Sequence, residues 1–168
     1  AASFMGINAM LPSRKDALLL DIGGTTTDIF FLADGVPLFE PLGITIDNYK
    51  TLVRAIYSVS IGLGGDSSVE IHNEEIKIGP ERKGNPISFG GTSPTPTDAM
   101  IVLGLMKGGN RDNAYKAMET LGKELNLSPE EISKKILETM ADIIKNKVNV
   151  RLVNIISQPV YTVKELLY

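Results

Sequence analysis

Two carboxylates bracket a pair of glycines and three threonines in residues 21–28, Asp-Ile-Gly-Gly-Thr-Thr-Thr-Asp. That set suits the holding of phosphate. Gly23 and Gly24 carry no side chain, so backbone N–H groups can come close to anionic oxygens. Thr25, Thr26 and Thr27 add hydroxyl donors. Asp21 is the candidate metal residue, because Mg²⁺ takes few carboxylates and completes its shell with water and phosphate. Asp28 is a candidate to tie the loop or orient a water. The octet lacks the Gly-Lys-Ser/Thr ending of a Walker loop. A tight structural turn is the alternative reading of the same string.

Two further Gly-rich strings follow. Ile61–Ser67 reads IGLGGDS, and its Gly64, Gly65, Asp66 and Ser67 are candidates to line a nucleotide or substrate cleft. Residues 89–98 read FGGTSPTPTD, where Gly90 and Gly91 precede a rigid Pro-Thr stretch and a helix start. Helix starts attract anions. Asp98 there is a lesser catalytic candidate, and favourable placement near the helix dipole is its structural alternative. The single histidine, His72, sits before a polar turn and reads as a surface residue. Met100, Met106, Met118 and Met140 read as helix-face core.

These strings need elements to hold them. Ala17–Leu20 is a continuous apolar run, read as a buried strand, and Ile29–Leu32 is a second strand. Asp34-Gly35 is a turn signal before Val36–Phe39, so three consecutive antiparallel strands are expected. Residues 47–57 are read as a helix with Asp47 as N-cap and Tyr49, Leu52, Val53 and Ile56 at helical spacing. Val69–His72 and Glu75–Ile78 pair as a hairpin turned at Asn73-Glu74. Residues 79–96 form a long loop.

Helices follow. Thr97 is expected to cap one from Asp98 to about Met106, stopped by Gly108-Gly109. Asp112–Leu125 is the next, with Ala114, Ala117, Met118, Leu121 and Leu125 on one face. Ser128-Pro129-Glu130-Glu131 is a capping box opening a helix that turns Ile132, Ile136, Met140, Ile143 and Ile144 inward. Residues 149–157 are read as a last strand or short helix.

Composition narrows the classes. The chain has 168 residues, 43% hydrophobic and 22% charged, which fits one domain with its own core. A net charge of -3 argues against a phosphate-backbone binder of nucleic acid. With no cysteine, thiolate nucleophiles, disulfides and zinc fingers are excluded. No apolar run approaches the roughly 20 residues that span a bilayer, and no secretory signal is visible, so a cytoplasmic protein is expected. The AASFMG start, without an initiator Met, reads as a segment of a longer chain.

Asp21–Asp28, Gly62–Ser67, Gly79-Pro80, Gly90-Gly91, Pro94–Ala99 and Val102-Leu103-Gly104 stand in one order. That order resembles the hydantoinase A/oxoprolinase family, over nearly the whole chain. The resemblance implies an α/β fold, one lobe of a two-lobed actin-like (ribonuclease-H-like) ATPase. It has a mixed sheet, a β-hairpin phosphate loop and C-terminal helices. It implies ATP and Mg²⁺ as cofactors, a small cyclic-amide substrate such as a hydantoin or 5-oxoproline, or ketone carboxylation in the relatives. It also implies partners: a missing N-terminal lobe of the same chain and a possible second subunit. The isolated segment is then expected to be inactive. The family's Asp and His before the second Gly-rich turn are replaced here by the string Tyr57-Ser58-Val59-Ser60-Ile61. That departure keeps two alternatives open, a small-molecule kinase and a non-catalytic ATP-binding module on the same fold.

Overall fold

The computed structural model describes residues 5, 6, 9, 10, 16–40, 43, 45, 46, 48–53 and 55–156. The chain divides into two compact units. The first comprises Ala1–Asp21, Asp28–Ser60 and Val148–Tyr168; the second comprises Ile22–Thr27 and Ile61–Lys147.

The first unit is built on a sheet. Its strands are β1 (Ala17–Ile22), β2 (Thr27–Ala33), β3 (Val36–Pro37) and β6 (Ser58–Ile61), with β2 neighbouring all three others. The four-residue connection between β1 and β2 is too short for a parallel crossover, so the pair is a hairpin. β2 is the central strand and buries Ile29, Phe30, Phe31 and Ala33. The Phe31 ring lies against Tyr57, with centroids 5.7 Å apart and planes tilted by 47°. β2 turns into β3 through Asp34 and Gly35, both at positive φ (50° and 79°), a two-residue turn matched to strand twist.

Two expectations fail in this unit. β1 is not a buried strand: it ends the sheet, and Leu18, Leu20 and Ile22 are 46%, 42% and 51% exposed. Alternate side chains of a strand go to opposite faces, and only one face of β1 is packed. Residues 47–57 are not a helix over their described part. β4 (Thr45–Ile46) and β5 (Tyr49–Lys50) pair antiparallel, with Asn48 in the left-handed region at φ 67°. Ile56 then bridges Phe39, and the Tyr57 N–H donates to the Leu38 carbonyl at 2.7 Å. The β-branched and aromatic residues here satisfy their backbone groups across strands, which overrides the helical spacing. Asp47 and Arg54 lie outside the described residues.

The second unit joins a hairpin to helices. β7 (Val69–His72) pairs with β8 (Glu75–Ile78) around Asn73-Glu74, as the turn signal predicts. A 3₁₀ turn (Ile87–Phe89) leads to α1 (Pro96–Val102), α2 (Arg111–Leu125) and α3 (Pro129–Ile156). α1 packs on α2, and α2 also meets the 3₁₀ turn and β7. Ala99, Ile101, Val102, Ala114, Ala117, Met118, Leu121, Ile132 and Ile136 form the buried core. Full burial of Ile132 or Ile136 contributes about 1.5–3 kcal/mol each.

The helix boundaries shift from expectation. α1 starts earlier because Thr95, not Thr97, is the N-cap, with Pro96 next and Asp98 closing a capping box. It ends earlier because Gly104, at φ 71°, follows its last turn. Met106 therefore lies beyond the helix and is 38% exposed, not core. Asn126 caps α2 in the left-handed region, and Ser128 with Glu131 forms the expected capping box of α3. α3 continues through residues 149–156 where a strand or a separate short helix was expected; Ser157 lies outside the described residues. Ile143 is exposed on α3 rather than inward.

Candidate phosphate-binding site

In the second unit the first Gly-rich turn is closed by the Gly23 N–H donating to the Thr26 carbonyl at 2.9 Å. The second turn then locks onto it. The Gly65 and Asp66 N–H groups donate to the Gly23 and Gly24 carbonyls at 2.9 and 2.7 Å. Glycine is required for this approach. A Cβ on Gly64 would lie 2.5 Å from the Gly24 carbonyl atoms, and one on Gly24 would lie 2.8 Å from Asp66 Oδ2. The sequence thus places glycines where two backbones touch.

Side chains finish the lock. Thr27 Oγ1, fully buried, donates to the Leu63 carbonyl at 2.6 Å. Ser67 Oγ, also buried, accepts from the Gly64 N–H at 2.9 Å and holds the second turn in shape. Thr25 and Thr26 stay exposed at the tip, with Gly23 beside them. The tip therefore offers backbone and hydroxyl groups to solvent, while the interior groups support it.

α1 supplies a third segment. The Thr97 N–H donates to the Gly65 carbonyl at 2.8 Å, and Thr97 Oγ1 donates to Asp66 Oδ1 at 3.3 Å. Asp98, fully buried, accepts from the Ile87, Ser88 and Thr95 N–H groups at 3.1, 2.8 and 3.0 Å and from Thr95 Oγ1 at 2.9 Å. One carboxylate thereby holds both the 3₁₀ turn and the start of α1, and through them Thr97. Gly90 and Gly91 bond to the Ile87 and Pro86 carbonyls, within their own loop. Asp21 and Asp28 are half-buried in β1 and β2 and belong to the first unit.

Arg82 completes the cluster and escaped the motif reading. Its guanidinium pairs with Asp66 Oδ2 at 2.8 Å, donates to Thr25 Oγ1 at 3.3 Å and to the Gly84 carbonyl at 3.1 Å. Its segment is anchored by the Ser68 N–H donating to the Glu81 carbonyl at 2.9 Å. A lone arginine in the long loop after β8 was the signal available in the sequence. Thr97 was legible only as a cap, although it lies inside the PTPTDA string.

Charge elsewhere in this unit is superficial. Glu70 binds Lys83 and His72 on the hairpin surface, His72 at 2.9 Å. The Lys83 hydrogen bond, then that of His72, holds the Glu70 carboxyl below its ordinary range, and Glu70 raises Lys83 in return. His72 is thus a surface partner, as its sequence context indicates. Among the described residues, no group of three or more acids or imidazoles gathers as a metal cage. Among them, too, no helix is long and apolar enough to cross a membrane.

The chain is similar to known proteins. The family described as hydantoinase/oxoprolinase matches residues 1–158. The acetophenone carboxylase gamma subunit of Aromatoleum aromaticum is 29% identical over 158 residues, which cover 82% of this chain and 22% of that protein. A nucleotide-free structure of acetone carboxylase, from work on ATP-dependent acetone carboxylation, superposes with a TM-score of 0.68 at 20% identity. It covers 93% of this chain and 24% of the acetone carboxylase chain, and at that identity it shows likeness of fold. The chain therefore spans about a quarter of the length of these relatives. With a family match over residues 1–158 and a mixed α/β fold like that of acetone carboxylase, this chain belongs to the hydantoinase/oxoprolinase family.

Proposed function

We propose that this chain is the phosphate-binding part of an ATP-dependent carboxylase acting on a small carbonyl compound, one lobe of an actin-like ATPase. The interlocked turns at Gly23-Gly24 and Gly64-Gly65-Asp66 carry the reading, because they present Thr25, Thr26 and Gly23 on a rigid backbone support. The names of both relatives, each a carboxylase, support it. ATP would supply a phosphoryl group that turns an inert oxygen into a leaving group. The chain's own part is positioning and charge neutralisation. Gly23, Gly24, Thr25 and Thr26 hold phosphate oxygens, Thr27 and Ser67 brace the turns, and Gly64, Gly65 and Asp66 line the cleft with Gly90 and Gly91. Asp21 is the proposed Mg²⁺ carboxylate, which fits an ion that binds few carboxylates alongside phosphate. Asp28 orients water, and Asp98 acts by holding Thr97.

A second reading, opening of a cyclic amide, follows from the family itself. Tyr57 and Val59 stand where the resemblance sets an acid and an imidazole, and neither supplies that chemistry, which weighs against ring opening. Calorimetry of the full-length protein with Mg-ATP tests the site. Binding that is lost in Asp21→Ala is expected; binding unchanged by that substitution rejects the metal role, and no binding at all rejects the site. ATP-dependent incorporation of labelled inorganic carbon into small ketones, set against ring opening of hydantoins, separates the two reactions.

A further inference from the structure

Arg82 is the one guanidinium at the candidate site among the described residues, and three of its contacts fix its position. Its Nε–H is held by the Gly84 carbonyl, one terminal nitrogen by Asp66 and the other by Thr25. A guanidinium has five N–H donors in a rigid fork, so donors remain after these contacts. The side chain is 39% exposed, whereas its partner Asp66 is 17% exposed. The charge is thus presented at the surface with its carboxylate partner behind it.

The placement of Thr25 gives this a direction. Thr25 is an exposed residue of the turn read as the phosphate cradle, and Arg82 touches its hydroxyl. A phosphate oxygen bound at that hydroxyl would come within reach of the same guanidinium. The ion pair with Asp66 serves this arrangement, because it orients the fork without consuming its remaining donors. Arg–phosphate contacts are charge-assisted and directional, so such a donor discriminates by phosphate charge.

The geometry points to Arg82 as a direct phosphate contact, a binding residue of this site that recognises the polyphosphate rather than the nucleoside of its ligand. The inference rests on the proposed nucleotide site. Arg82 gives its outward N–H groups to a phosphate oxygen while Asp66 and Gly84 hold the guanidinium in place.

The test is calorimetry of the full-length protein with Mg-ATP and with adenosine, on wild type, Arg82→Gln, Arg82→Lys and the double variant Arg82→Gln/Asp66→Asn. Thermal unfolding of each variant is followed alongside. Arg82→Gln is expected to weaken Mg-ATP at least about ten-fold while leaving adenosine unchanged, and Arg82→Lys to restore part of the loss. The double variant should stay weak, because the lost group is the phosphate donor itself. Equal loss for both ligands would make Arg82 a structural brace and overturn the inference. So would full recovery in the double variant, which would mean that Arg82 only masks the Asp66 charge. Unchanged Mg-ATP affinity in Arg82→Gln overturns it while leaving the nucleotide site intact. Absence of Mg-ATP binding in wild type rejects the nucleotide site and this inference with it.

Discussion

At the scale of residues, the site depends on side chains that are absent. Gly64 faces the backbone of Gly23 and Gly24 so closely that one methyl group has no room. Gly64→Ala is therefore expected to destabilise the chain by about 2 kcal/mol, since backbone cannot move aside as a flexible side chain can. Urea unfolding measures the loss, and Mg-ATP binding should fall with it. The octet pointed to phosphate chemistry, and its residues divide in a way that the string concealed. Thr27 and Thr25 are the same residue type two positions apart. One is fully buried on the Leu63 carbonyl and the other is exposed beside Arg82. Thr27 opens β2 and Thr25 lies in the turn before it, and that difference of place is not written in residue type.

At the scale of elements, the short helix α1 positions Thr97, and its start depends on Asp98. Asp98→Ala removes acceptors from buried N–H groups of both the 3₁₀ turn and the helix cap. About 3 kcal/mol of destabilisation is expected, read by denaturant unfolding. The cap of α3 responds to pH instead. The Ser128 backbone N–H, then its hydroxyl, holds the Glu131 carboxyl below its ordinary value. A carboxyl with a lowered folded-state pKa contributes stability above its unfolded pKa and loses it as pH falls through the folded one. Acidification below the ordinary carboxylate range should therefore fray the start of α3, and Glu131→Gln should flatten that dependence. Amide exchange at Ser128–Ile132 against pH reads both. The capping box was plain in the sequence because its chemistry is local. The helix expected over residues 47–57 failed because helical spacing competed with strand partners that the sequence does not name.

At the scale of the whole molecule, ligand and fold are linked. A ligand that binds only the folded state stabilises it by about 2.7 kcal/mol at roughly a hundred-fold excess over Kd. Mg-ATP should raise the unfolding temperature accordingly, with added amide protection at residues 22–27 and 61–67 of the second unit. An unchanged melting temperature with bound nucleotide would show that ligand also binds the unfolded chain. The family match covers residues 1–158, yet the chain spans about a quarter of each relative. The carboxylation proposed above belongs to proteins about four times this length, and phosphate binding is the share of it proposed for this chain.

The sequence by itself determined the family, the three Gly-rich strings in order, the β7–β8 turn and the α3 cap. Each of these is carried by neighbours in the chain, where residue type and spacing suffice. Only the tertiary structure decided that β1 exposes an apolar face and that Asp98 also holds the Ser88 N–H, ten positions upstream. It alone brought Arg82 to Thr25, 57 positions away, and Thr97 to Asp66, 31 positions away. Such contacts depend on how loops close on one another. That closure is set by packing and by backbone hydrogen bonds across the fold rather than by local residue type.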